Sequence, residues 1–294
     1  MRYSTIRTSV RLGCTVLSLL LGGCQATLFT AINASAHDKG VHADTGIVFD
    51  PVRKLKLDVY ALPGAHQAPV VVFFYGGSWN SGRRQWYRWL GERLAQQGWV
   101  VVIPDYRKYP QVDMDGFMRD ASHAVAWARE HATRYGGCGE HLYLMGHSAG
   151  AHIGALLATD GHWLRAVGMR PDQLDGFIGL DGPYDFLPLK KAMFREIFGH
   201  SHVRQIKSQP VHFVDGDEPP MLLLQGKADR TVYPRNARSL ADAMRAAGEP
   251  VQLRMYPDVG HVGLLLSLSR PFAYKAPSLQ AIVNFIQMRS NHDQ

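Results

Sequence analysis

The chain has 294 residues, 46% of them hydrophobic and 19% charged, with a mean hydropathy of −0.16. That is ordinary for a globular protein able to bury one large core or two small ones. The formal charge of +7 includes Arg2, Arg7 and Arg11 and falls to +4 without them; the nearest approach to a basic run elsewhere is Arg83, Arg84 and Arg88, too little clustering for a nucleic-acid footprint.

The first residues read as a targeting segment. A basic start leads into an apolar stretch from Leu12 to Leu21, the length of a secretory h-region and too short to span a bilayer. It ends in Leu21-Gly22-Gly23-Cys24, which resembles a bacterial lipoprotein signal, in which the cysteine is lipidated and becomes the new N-terminus. Simple cleavage near Ala34-Ser35-Ala36 is the alternative. The expected organisation is a signal peptide over 1–23, a small and polar tether over 24–44, and a folded domain over 45–294. Of the three cysteines, Cys14 lies in the h-region and Cys24 at the lipidation position, so Cys138 is expected without a partner. A lipid on Cys24 places the protein on the periplasmic face of a membrane, and Gln25 after it resembles lipoproteins sorted to the outer membrane.

From Thr45 the pattern becomes that of packed elements. Ile47-Val48-Phe49 and the alternating Leu55 to Tyr60 read as early strands, and Val70 to Tyr75 as a strand buried on both faces. A helix over about 85–97, a strand over 99–103, a helix over about 116–134 and a strand over 141–145 follow. Next come a small-residue helix over 149–159, strands over 177–180 and 221–225, a helix over about 234–247, a strand over 251–256 and a last helix over about 276–288. Alternating strands and helices predict a mostly parallel sheet covered by helices on both faces, the α/β class. Residues 182–219 break the rhythm. They read as a short lid-like insertion over one edge of the sheet, with a helical stretch over about 188–198.

Gly146-His147-Ser148-Ala149-Gly150 sits between a buried strand and a helix. A sharp strand-to-helix turn exposes the serine hydroxyl in a strained backbone, and the flanking glycines let the turn approach its neighbours. Serine is a weak nucleophile without a base, and the base needs an orienting carboxylate. His261 follows the last strand and Asp229 the strand before it, so both can converge on Ser148. Asp181, after another strand, is the alternative acid. Gly76-Gly77-Ser78-Trp79 occupies the place of an oxyanion loop, with Gly77, Ser78 and Ala149 as expected amide donors. Trp79, Tyr184 and Phe186 are candidate pocket residues. Fourteen histidines invite a metal, but no His-Glu-x-x-His or Cys/His spacing is present, and neither metal nor cofactor is expected.

Val70 through Ala155 resembles the bacterial esterase/lipase branch of the α/β-hydrolases, near its hormone-sensitive-lipase-like, kynurenine-formamidase-like and feruloyl-esterase-like groups. The likeness rests on Tyr75-Gly76-Gly77-Ser78-Trp79, Asp105-Tyr106-Arg107, Tyr135-Gly136-Gly137 and the Ser148 pentapeptide. It implies an α/β-hydrolase fold, a structural Arg107–Asp120 pair, and a serine esterase acting on small or medium esters through an acyl-enzyme. Tyr75 departs from it, since these families place His before the glycines. An amidase with the same triad and a non-catalytic binding lipoprotein are the alternative readings.

Overall fold

A computed structural model describes residues 27, 29–34 and 40–290. Cys14 and Cys24, and with them the signal and lipidation readings, lie outside the described residues. Among the described residues eight strands form one sheet: β1 (His42–Asp50), β2 (Leu55–Ala61), β3 (Ala68–Phe74), β4 (Val100–Pro104), β5 (Gly137–His147), β6 (Gly176–Leu180), β7 (Met221–Gly226) and β8 (Val251–Tyr256). Their order is β1-β2-β4-β3-β5-β6-β7-β8. The pairs β1/β2 and β2/β4 are antiparallel and all others parallel.

Val70, Val71, Val72, Phe73 and Phe74 are fully buried, so β3 is covered on both faces, as its unbroken apolar run requires. The longer helices are α1 (Arg88–Ala95), α2 (Met114–His131), α3 (Ala149–Thr159), with the single turn α4 (His162–Arg165) after it. Beyond β6 come α5 (Ala192–Phe198) and α6 (His202–Ile206), and later α7 (Arg235–Ala246), α8 (His261–Leu266) and α9 (Ser278–Ser290). The side chain of Asp113 caps α2 by accepting from the Gly116 amide. None of the described helices is long and apolar enough to cross a membrane.

Two expectations are changed. The sheet begins at His42, three residues before Thr45, because β1 pairs with β2 from His42↔Ala61 onward. The region expected to be a tether contains a helical stretch at 29–34, where Phe29 and Ile32 are buried. The insertion over 182–219 leaves the sheet at the carboxyl end of β6, which lies between β5 and β7.

The register lines up the strand ends. Phe74 is level with Gly146, His147 with Leu180, Leu180 with Leu224, and Gly226 with Tyr256. Chain order reverses between β3 and β5, where a crevice opens at the carboxyl edge of such a sheet. All eleven residues of α3 are buried against the sheet. A Cβ on Gly150 would overlap the carbonyl oxygen of Phe74, and one on Gly146 would overlap the Gly150 backbone. Gly150→Ala should therefore destabilise the protein by about 1–3 kcal/mol through overpacking. At Gly263 in α8 an added methyl meets only ordinary contacts, 3.6 Å from Val259 and 3.9 Å from Lys275. Gly263→Ala should stabilise by about 0.5–1 kcal/mol through helix propensity, and thermal melts of the two variants moving in the same direction would contradict this packing.

Candidate active site

Ser148 is the residue between β5 and α3 and adopts φ 55°, ψ −123°, a conformation that costs energy for a residue with a Cβ. Its amide donates to the Leu180 carbonyl at 3.0 Å, so the turn is tied to β6. The hydroxyl donates to Nε2 of His261 at 2.8 Å, and Nδ1 of His261 donates to Oδ2 of Asp229 at 2.7 Å. The three side chains expected to converge thus form one hydrogen-bonded line over 113 residues of chain. Oδ1 of Asp229 accepts from the amides of Thr231 at 2.7 Å and Val232 at 2.9 Å. Burial pushes the Asp229 carboxyl up, but the hydrogen bond and charge of His261 and the two amides outweigh it and hold the group below its ordinary value.

Asp181 also ends a strand, yet the structure gives it different partners. It has φ 47°, and Oδ1 accepts from the Gly226 amide at 2.8 Å, while Oδ2 is buried without a hydrogen bond. Burial, with the nearby Asp229 charge adding to it and the Gly226 amide opposing, pushes Asp181 up to about 9. At neutral pH it is the uncharged acid, and Asp229 is the carboxylate bonded to His261.

The loop after β3 lies against this line. A Cβ on Gly76 would stand 3.0 Å from that of Ser148, which is why glycine belongs there. Gly77, Ser78 and Trp79 all have positive φ, at 134°, 51° and 59°, and the Gly77 carbonyl accepts from the amides of Asn80 and Ser81. Ala149 is the first residue of α3, where an N–H has no acceptor within the helix. Gly76, Gly77 and Ser78 line a cavity of about 190 Å³ together with Ser148 and His261.

Tyr75, where the resembling families carry His, is fully buried under the loop. Its ring stacks between Tyr87 and Tyr106, its hydroxyl donates to Asp105 at 2.8 Å, and Lys108 donates to it at 2.9 Å. Arg84 bridges Asp105 and Asp58, anchoring the far end of the loop. Arg107 and Asp120 form a bidentate pair, as the resemblance implied.

Trp79, Tyr184 and Phe186 do not line the cavity. Trp79 is 4% exposed, packs against Phe186, Phe194 and Phe198 of the insertion, and donates from its indole to Nδ1 of His152 at 3.2 Å. Nε2 of His152 donates in turn to the Ser208 carbonyl at 2.7 Å, and burial lowers this imidazole to about 4, keeping it neutral. The insertion therefore braces the loop through Trp79 and His152, and the described cavity wall comes from elsewhere, including Phe29, Trp86 and Tyr87. Sequence reading missed those three; the only signal was an apolar Phe29 and Ile32 at helical spacing within a polar stretch.

His147, Asp181 and His261 bring ligand-type atoms within 4.8 Å of one another. Both nitrogens of His261 are already engaged by Asp229 and Ser148, so this imidazole has no ring nitrogen left for a cation. His147 donates from Nε2 to the His261 carbonyl at 3.1 Å, and burial followed by the adjacent His261 lowers it to about 3. It steadies the His261 backbone as a neutral imidazole.

A model of the BD-FAE family matches residues 57–244, which carry β2 through α7 and include Ser148 and Asp229. The chain belongs to the BD-FAE family. It is 29% identical to the isoprenylcysteine alpha-carbonyl methylesterase ICME of Arabidopsis thaliana over 75% of its length, and 32% identical to the esterase LipC of Mycobacterium tuberculosis over 74%. The chain spans 56% of the former and 58% of the latter. Thermogutta terrifontis esterase 2 superposes with a TM-score of 0.67 at 25% identity, covering 85% of this chain and 92% of that one. Esterase B of Lactobacillus rhamnosis gives 0.79 at 20% identity over 96% and 97%. The fold is that of the α/β-hydrolases, as the resemblance implied.

The contrast between the two carboxyls sets a pH dependence. Unfolded, Asp181 titrates near 3.8, and folded near about 9. Between those values the folded state holds a proton that the unfolded state has lost, so this group's contribution to stability falls as pH rises. Asp181→Asn keeps the uncharged shape and removes that slope. Melts at about pH 5 and about pH 8 should show the wild type losing more stability than the variant across the interval; equal losses would mean that Asp181 is ionised in the fold.

Proposed function

We propose that this chain is a serine carboxylic-ester hydrolase in which Ser148 is the nucleophile, His261 the general base and Asp229 its orienting acid. The observation that carries the reading is the unbroken hydrogen-bonded line from the Ser148 hydroxyl through His261 to Asp229, opening on a cavity beside a loop of strained amides. Membership of the BD-FAE family and likeness to proteins named esterases support the same reaction class.

In this mechanism the ester enters the cavity with its carbonyl carbon over Ser148. Nε2 of His261 accepts the hydroxyl proton as Oγ attacks, and Asp229 stabilises the imidazolium while remaining ionised. The amides of Gly77, Ser78 and Ala149 hold the developing oxyanion, a contribution of roughly 10²–10³ in turnover per donor. Because Ser78 is locked at positive φ, its amide direction is set before substrate arrives, and no reorganisation is spent at the transition state. His261 then returns the proton to the leaving alcohol. Water, deprotonated by the same imidazole, attacks the acyl-enzyme and releases the acid. The alcohol and acid are small or medium in this reading.

Treatment with a fluorophosphonate probe, followed by mass spectrometry, should place one adduct on Ser148, and p-nitrophenyl esters should be hydrolysed. Ser148→Ala should lower kcat by roughly 10⁶ and Asp229→Asn by roughly 10⁴, with Asp181→Asn close to wild type. Comparable losses in the two aspartate variants would transfer the acid role to Asp181, and hydrolysis of amides with no turnover of esters would overturn the esterase reading.

Cys24 is proposed to carry a lipid that holds the protein at the periplasmic face of a bacterial membrane, on the strength of Leu21-Gly22-Gly23-Cys24 after the apolar stretch. Two or more acyl chains give stable attachment where one is marginal. Cys24→Ser should leave full esterase activity but move the protein out of the membrane fraction, and recovery of wild-type protein in the soluble periplasm without acyl mass would refute the anchor.

A further inference from the structure

The stretch expected to be a tether is packed against the site. Within the helical residues 29–34, Phe29 and Ile32 are one turn apart and only 5% and 4% exposed. The Phe29 ring stacks on Trp86 at 6.1 Å and lies 5.2 Å from Tyr87. Asn33 fixes the other end of the contact: Nδ2 donates to the Gln85 carbonyl at 2.9 Å, and Oδ1 accepts from the Trp89 amide at 3.0 Å. That amide lies in the first turn of α1, where the helix itself offers no acceptor. A loose linker would neither bury two apolar side chains nor cap a neighbouring helix.

Phe29 also lines the cavity that holds Ser148 and His261. Its neighbours Trp86 and Tyr87 are cavity walls too, so the ring closes an aromatic corner beside the Gly76–Ser78 loop. With the ring in place the cavity measures about 190 Å³, below the several hundred Å³ of a pocket that encloses a drug-sized ligand.

We propose that Phe29 determines substrate length, closing the cavity to all but short ester arms and making short-chain esters the preferred class. The proposal rests on the assignment of Ser148 as nucleophile. An apolar arm gains affinity with each methylene that finds an aromatic wall, roughly tenfold or more per methylene, and gains nothing once the ring blocks its path. Removing the ring gives longer arms the space it occupied, against Trp86 and Tyr87.

The test compares p-nitrophenyl acetate, butyrate and octanoate with the full chain and its variants, alongside fluorophosphonate labelling of Ser148. The wild type should prefer acetate and butyrate. Phe29→Ala should raise the octanoate-to-acetate ratio of kcat/KM by about tenfold or more, chiefly through KM, with Ser148 still labelled by the probe. Asn33→Ala, which keeps the ring but removes both anchoring hydrogen bonds, should shift the ratio the same way by less. Phe29→Trp should lower butyrate relative to acetate, which keeps the proposal exposed to failure if Phe29→Ala folds poorly. An unchanged ratio in a Phe29 variant that still labels overturns the proposal. A wild type that neither labels nor turns over esters overturns the Ser148 assignment instead, and the labelling arm separates the two failures.

Discussion

Parallel strands in register, ending toward one side of the sheet, are the constraint on which the rest of this structure depends. β3, β5, β6, β7 and β8 run in register, with the ends at Phe74, His147 and Leu180 within one residue of the same level and those at Gly226 and Tyr256 two residues further on. Whatever follows each strand is therefore delivered to a single crevice: the glycine loop, Ser148, Asp181, Asp229 and His261. The close backbone contact of Gly150 with Phe74 holds α3 tight against β3 and fixes the height of the serine above the sheet. Without that register, residues 113 positions apart would have no reason to meet at 2.8 Å.

Two carboxyls at the same sheet edge occupy opposite protonation states because their donors differ. Both are buried, and burial alone favours the neutral acid. Asp229 receives two amides and an imidazole N–H, enough to keep its charge. Asp181 receives one amide, leaves one oxygen without a partner, and sits near the charge of Asp229, so a second ionisation is opposed. The difference in hydrogen bonding leaves Asp229 as the charged carboxylate bonded to His261.

The elements around the crevice divide their work in an unexpected way. The insertion after β6 braces the glycine loop from behind, through Trp79, His152 and the Ser208 carbonyl, and the Tyr75–Asp105–Arg84 network holds it from the other side. The N-terminal helical stretch, rather than the insertion, supplies a wall of the cavity. If Cys24 carries lipid as proposed, the five residues to Phe29 span at most about 18 Å when fully extended. The cavity then stands close to the membrane, and the anchor and pocket wall become parts of one short segment.

Much of this was legible in the sequence because the signals are local. Unbroken apolar runs marked the doubly covered strands, the strand–Gly146-to-Gly150–helix order marked the serine turn, and Asp229 and His261 were marked by their places just after strands. The Arg107–Asp120 pair came through family resemblance. What the tertiary structure alone decided depends on contacts between distant segments. The sequence favours Asp229 as the acid and keeps Asp181 as the alternative, and because both follow strands only the structure shows which carboxyl bonds His261. Trp79, Tyr184 and Phe186 read as candidate pocket residues; Trp79 and Tyr184 are buried in the core, and Phe186, half-buried, packs on Trp79 from within the insertion. Phe29 read as part of a polar tether and lines the site, because its burial needs Trp86 and Tyr87, residues more than fifty positions away whose placement exists only once the sheet has formed.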